Sequence, residues 1–140
     1  MIVVTGNCLC SGIMGVMLGG GHGFLQGFYG LVADQIVKAR VVLADGSAVT
    51  VSSESNNNLF WALRGAGHNF GIVTGLEFKV YNAGSATTNW THVDMFFKGD
   101  QLEQVFSTAN ELLQDGNQPA KLIFWGAYRH APSVDPVNVS

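Results

Sequence analysis

The sequence predicts an α+β fold. Three observations carry that expectation. β-rich runs flank an Asp-Gly turn at Asp45-Gly46, a helical apolar period covers Gln101 to Leu113, and a glycine-dense segment runs from Gly6 to Asp34 between the regular elements.

In chain order, Ile2 to Thr5 is a β-rich run, expected as a strand ending at Gly6. Ser11 to Leu18 is small and apolar and suits a short helix or tight turn. Gly19 to Gly23 is loop, and Leu25 to Leu31 is a helical turn weakened by Gly27 and Gly30. Ile36 to Leu43 reads as a strand and Ala48 to Ser52 as its partner. The Asp-Gly pair between them predicts a type I′ turn, because that turn needs positive φ. Ser53 to Asn58 is polar, and its Asn56-Asn57-Asn58 run supplies a cap for a short helix over Asn58 to Arg64, stopped by Gly65. A second glycine-rich loop spans Gly65 to Gly71, and Ile72 to Tyr81 follows as a strand.

Asn82 to Thr88 is small and polar, and a subdomain boundary is expected there. Beyond it, Trp90 to Phe97 alternates like a strand. Asp100 is a candidate N-cap for the helix whose apolar face is Leu102, Val105, Phe106, Ala109, Leu112 and Leu113, with Gly116 ending it. Leu122 to Tyr128 reads as a further strand, and Arg129 to Ser140 trails off with two prolines. Such a strand–helix–strand piece leaves a sheet edge unpaired, so the chain reads as cut at both ends.

Composition narrows the function classes. The chain has 140 residues, enough for a real core, and is 47% hydrophobic against 12% charged, which excludes a disordered chain. A net charge of −3 with 7 Lys+Arg and no basic run argues against nucleic acid as a partner and against a polybasic membrane anchor. No apolar run is long enough to span a bilayer. Asn89-Trp90-Thr91 and Asn138-Val139-Ser140 match the glycosylation pattern, which has meaning only in a secreted parent. Two cysteines, Cys8 and Cys10, are no disulfide framework, and one residue apart they are poorly placed to bond each other.

Glycine-dense backbone lets a ligand approach closely, since no Cβ intervenes. Neither glycine loop fits a dinucleotide fingerprint: Gly19 to Gly27 has no Gly-x-Gly-x-x-Gly, and Phe70 stands where the third glycine of the second loop belongs. No Gly-Lys-Ser/Thr phosphate loop occurs. The loops suit a large flat cofactor held by backbone, outside the usual NAD and ATP folds. Cys8 reads either as a small buried thiol or as an attachment point, and Cys10 as structural. A zinc site from Cys8, Cys10, His22 and His68 has poor spacing, and the histidines read as packing or hydrogen-bonding residues. Phe60, Trp61, Trp90, Trp125 and Tyr128 read as core or interface. Asp94 and Glu103 lack a paired carboxylate, so hydrolase chemistry has no support.

Three motifs occur in order: Gly19 to Asp34 (GGGHGFLQGFYGLVAD), Val41 to Ser47 (VVLADGS) and Asn58 to Thr74 (NLFWALRGAGHNFGIVT). This set resembles the FAD-linked oxidoreductases of the vanillyl-alcohol oxidase/p-cresol methylhydroxylase (PCMH-type) fold, and most of all the berberine-bridge-enzyme-like branch with its many fungal oxidases. The resemblance implies that residues 1–83 are the second half of a PCMH-type FAD-binding domain and residues 84–140 the start of an α+β substrate-binding domain. The first half, with its pyrophosphate loop and flavin-bonding histidine, is expected before Met1. The catalytic base is expected beyond Ser140.

By the same resemblance the family motif Gly-x-Cys-x-x-x-Gly falls on Gly6 to Gly12, which makes Cys8 the position that bonds flavin C6 in bicovalent members. Gly12, Gly15, Gly20, Gly21 and Gly23 would line the cofactor. Asp34 matches the family acid after Tyr-Gly-Leu; Gln35 stands where Asn is common. Gly71, Ile72 and Val73 match a stretch whose backbone meets the cofactor, and Ser11 a site that tunes oxygen access. The implied activity is hydride transfer to flavin N5 from an alcohol, sugar or secondary-metabolite C–H, with FAD as cofactor, O2 as electron acceptor and a small molecule as substrate. The alternatives are an inactive truncated remnant and a partner-binding module using an exposed apolar edge.

Overall fold

A three-stranded antiparallel sheet organises the first part of the chain in the computed structural model, which describes residues 1–84, 89–113, 116 and 118–135. Its strands are β1 (Ile36–Val42), β2 (Ala48–Ser52) and β3 (Ile72–Phe78), in the order β2-β1-β3. The chain divides into two units, Met1–Thr88 and Asn89–Ser140.

The central strand β1 buries Ile36, Ala39 and Val41. Strict alternation would put Ile36 and Ala39 on opposite faces. The register against β3 slips between Ile36 and Lys38, so Val37 is an extra residue and both apolar side chains reach the core. Lys38 and Glu77 are cross-strand partners bonded at 2.6 Å. Both are half-exposed, so this ion pair adds little stability.

The turn between β1 and β2 differs from the expected type I′. Gly46 N–H donates to the Leu43 carbonyl at 3.0 Å, and Leu43 N–H to the Ser47 carbonyl at 2.8 Å. Gly46 is left-handed at φ +83, whereas Ala44 and Asp45 keep negative φ. A type I′ turn needs positive φ at both central residues, so this is a three-residue loop with one glycine in the left-handed position. The Asp45 carboxylate holds it by accepting bonds from the Ser47 N–H at 2.9 Å and the Ser47 hydroxyl at 2.6 Å. Those two bonds lower the Asp45 pKa, the hydroxyl bond more than the amide.

Helices α1 (Ile13–Leu18), α2 (Gln26–Tyr29) and α3 (Asn57–Ala66) complete the first unit, with a 3₁₀ turn at Val32–Gln35 and another at Gly67–Asn69. Gly65 breaks α3 as the sequence predicts: Arg64 and Gly65 leave helical dihedrals, and Gly65 adopts φ +149. The asparagine cap takes another form. Asn56 occupies the N-cap position in a left-handed conformation without a side-chain bond to the helix. Its amide instead donates to the Thr50 carbonyl at 2.8 Å, tying the helix start to β2.

The core is Val4, Met17, Val32, Ala33, Ile36, Ala39, Val41, Val51, Phe60 and Leu63. Fully burying one such large side chain stabilises by about 1.5–3 kcal/mol. Ile2 to Thr5 does not form the expected strand. It pairs only at Ile2, through two bonds with Tyr81 of 2.8 and 2.9 Å, and then sends Val4 into the core.

In the second unit α4 spans Leu102–Leu113, preceded by a 3₁₀ turn at Gly99–Gln101. Asp100 lies inside that turn rather than capping α4, and Lys98 takes the cap position, its N–H donating to Gln101 Oε1 at 3.1 Å. The expected strands Trp90 to Phe97 and Leu122 to Tyr128 do not form. A strand needs a partner for its backbone groups, and no described residue pairs with either run. Gly116 is left-handed at φ +67, past the end of α4. The last four residues of the expected linker, Ser85 to Thr88, and the Asn138-Val139-Ser140 match lie outside the described residues.

Candidate functional site

The two glycine-rich loops adjoin. A Cβ on Gly67 would stand 2.6 Å from Leu18 Cδ2, so its absence lets the end of α1 settle against the second loop. A Cβ on Gly19 would meet His68 Nε2 at 3.8 Å. His68 therefore packs beside the first loop, in line with the packing role read from the sequence.

The glycines matched to the cofactor divide into two kinds. Gly21, Gly23 and Gly71 are required by their own neighbours. A Cβ on Gly21 would lie 2.7 Å from Val16 Cγ1 and 2.8 Å from Val32 Cβ. On Gly23 it would land on the Thr5 carbonyl oxygen, and on Gly71 it would come within 2.8 Å of Val41 Cγ1. Gly12, Gly15 and Gly20 have no such reason, since a Cβ on any of them would meet nothing within 4 Å.

Gly12, Gly15 and Gly19 recur at spacings of three and four along α1 and so share one face. All three are exposed. Met17, on another face of the helix, is buried. A helix that keeps glycine on its solvent side loses about 0.5–1 kcal/mol per residue against alanine. This bare face therefore offers backbone to whatever lies against it.

Cys8 precedes α1 on an exposed turn closed by a 3.3 Å bond from the Ser11 N–H to the Cys8 carbonyl. Its thiol is a free one, not the buried thiol that composition allowed. Hydrogen bonds to Cys10, and after them to Ser11, draw it down to about 7 from an ordinary value of 9.0. Above that pH the thiolate dominates, and the thiolate is the nucleophilic form. Among the described residues no His, Cys, Asp or Glu cluster suits a metal ion.

Two polar residues matter that the sequence did not single out for these roles. Asn7 Oδ1 is buried and has no hydrogen-bond partner among the described residues, which costs free energy unless a donor meets it. Gln35 is fully buried. Its amide donates to the carbonyls of Tyr29 and Leu31, each at 2.8 Å, and its Oε1 accepts from the Tyr81 hydroxyl at 2.6 Å. The Tyr29 and Tyr81 rings stack beside it with centroids 3.8 Å apart. No local pattern marks Gln35, because its partners lie up to 46 residues away.

Asp34 uses one carboxylate oxygen to accept from the Leu31 N–H at 2.9 Å, and its carbonyl accepts from Lys79 Nζ at 3.0 Å. It shapes the chain just before β1. Ile72 and Val73 begin the edge strand β3, opposite Val42 and Val41, with the Ile72 side chain exposed. The bare α1 face and the partnerless Asn7 oxygen are what a large cofactor held by backbone and a few polar groups requires. The residues present therefore fit such a group.

Comparison with known proteins agrees with this chemistry. Residues 2–52 match an FAD-binding domain family. The FAD-linked oxidoreductase chry5 of Gibberella zeae is 47% identical over 136 residues, 96% of this chain and 26% of its own length. A structure on the functional roles of the 6-S-cysteinyl, 8α-N1-histidyl FAD in glucooligosaccharide oxidase from Acremonium strictum superposes with a TM-score of 0.57. It is 44% identical and covers 59% of this chain and 17% of that one. Berberine-bridge-enzyme-like protein 1 of Physcomitrella patens superposes with a TM-score of 0.56 at 43% identity, covering 58% and 18%. The chain thus spans about a quarter of the length of the curated relatives it matches.

Proposed function

This chain belongs to the FAD-linked oxidoreductases of the PCMH-type fold, in their berberine-bridge-enzyme-like branch, and from that premise we propose that it forms one wall of the FAD site of an enzyme oxidising a small-molecule C–H. The chemistry supplied by FAD when bound is two-electron hydride acceptance at N5, with O2 taking the electrons on. The substrate is an alcohol, sugar or secondary metabolite; the oligosaccharide oxidase among the structural neighbours supports the sugar. Residues 1–83 serve the cofactor and residues 84–140 begin the substrate-binding part.

The observation that carries this reading is the bare face of α1 beside an exposed, readily ionised Cys8. Gly12, Gly15 and Gly20 leave backbone open to the cofactor, while Gly21, Gly23 and Gly71 fix the shape of the two loops. Asn7 supplies an acceptor to a cofactor donor. Asp34 holds the loop before β1, and Gly71, Ile72 and Val73 present backbone at the start of β3. Cys8 is the attachment point for a thioether to the cofactor.

The test is peptide mapping of the flavin-loaded protein that carries this chain. The Cys8 peptide is expected to carry flavin after denaturation and digestion, and Cys8→Ala to remove that adduct and alter the flavin absorption spectrum. A Cys8 thiol that alkylates freely in the loaded protein would contradict the assignment.

The chain's share of its relatives' length favours a second reading, that these 140 residues alone are a catalytically inactive remnant or an interaction module. On that reading the isolated chain purifies colourless.

A further inference from the structure

The turn that carries Cys8 holds a second thiol. With Ser11 N–H bonded to the Cys8 carbonyl, Leu9 and Cys10 take the two central positions of the turn, and the Cys10 side chain comes into hydrogen-bond contact with that of Cys8. The sequence spacing alone argued against a bond between them; the turn brings the two sulfurs together. Both thiols are free and exposed, and Leu9 between them is fully exposed, so no described residue shields the pair.

We propose that Cys8 and Cys10 form a peroxide-responsive thiol pair, with Cys8 the attacked sulfur and Cys10 the resolving one. An exposed, easily ionised thiol next to a second thiol is the arrangement in which oxidation stops reversibly at a disulfide. The oxidant is a hydroperoxide, hydrogen peroxide in the simplest case. The Cys8 thiolate attacks one peroxide oxygen, forming an S–O bond and breaking the O–O bond. One water leaves after protonation, and Cys8 is a sulfenic acid. Cys10 sulfur then attacks Cys8 sulfur; the S–S bond forms, the S–O bond breaks, and the Cys10 proton departs with the second water. Two thiols lose two electrons and one peroxide gains them.

The hydrogen bonds from Cys10 and Ser11 keep Cys8 substantially ionised at neutral pH, so the first step runs without a separate base. The disulfide would withdraw Cys8 from cofactor attachment. That consequence rests on the Cys8 reading above, whereas the thiol pair itself does not.

The experiment uses the full chain, free of flavin. It is treated with stoichiometric hydrogen peroxide, alkylated without reductant, digested and weighed by mass spectrometry. The peptide holding both cysteines is expected to lose two hydrogens, to resist alkylation, and to recover both thiols with dithiothreitol. The reaction should run about tenfold faster at pH 8 than at pH 6, following the Cys8 thiolate. Cys10→Ser, which keeps a hydroxyl beside Cys8, should instead give a Cys8 sulfenic acid trapped by a cyclic dione. Two results would overturn the proposal: Cys8 advancing to sulfinic acid while Cys10 still alkylates, or both thiols remaining alkylatable. Neither bears on flavin attachment, which peptide mapping of the loaded protein decides separately.

Discussion

Gly23→Ala is expected to destabilise the first unit by about 3 kcal/mol or more, the upper range for forcing atoms into a packed site. The added methyl would land on the Thr5 carbonyl oxygen, which is backbone and has no rotamer by which to retreat. Thr5 follows Val4, a fully buried core residue, so shifting it strains the core anchor of the N-terminal run. Denaturant unfolding of the full chain checks this: the midpoint should fall, or the variant fail to accumulate as folded protein. Unfolding at the wild-type midpoint would mean that the first loop does not lie against the N-terminal run as described.

Gln35→Leu is expected to cost about 3 kcal/mol, although leucine is more apolar and nearly the same size. The loss comes from what Gln35 leaves behind. The Tyr29 and Leu31 carbonyls and the Tyr81 hydroxyl each lose a bond of 2.6–2.8 Å in a part-buried setting. A buried polar group left unsatisfied costs about 1–3 kcal/mol. For a unit of this size the loss corresponds to a fall of about 12–24 °C in unfolding temperature. Thermal unfolding of the full chain reads it directly. An unchanged or raised midpoint would show that the Gln35 bonds contribute nothing net.

These two residues mark where sequence reading reached its limit. The hairpin was legible because Asp45-Gly46 is a local turn signal, although the structure uses one left-handed glycine rather than a type I′ pair. The break in α3 at Gly65 and the helix over Leu102–Leu113 were legible for the same local reasons. The slip that places both Ile36 and Ala39 in the core was not, since a bulge depends on the partner strand. Gln35 was noted only as a departure from a family residue, because its bonds to Tyr29, Leu31 and Tyr81 exist only once the chain is folded. Trp90 to Phe97 and Leu122 to Tyr128 have strand periodicity, but periodicity supplies no partner for backbone groups.

The glycines show the same limit at the candidate site. In the sequence Gly15 and Gly23 look alike, two small residues in one rich segment. The fold separates them: Gly23 is confined by Thr5, whereas Gly15 faces open space on an exposed helix face. One glycine therefore serves the chain's own packing, and the other has a use only if something else comes close.

Gly15→Ala in the flavin-loaded protein tests that distinction most directly. Alanine in the interior of α1 should leave the fold intact and raise its stability by about 0.5–1 kcal/mol. Flavin content per protein, read from visible absorbance after purification, should nevertheless fall well below that of the wild type. A variant that is as stable as the wild type and equally yellow would contradict the claim that the bare face of α1 is there for FAD.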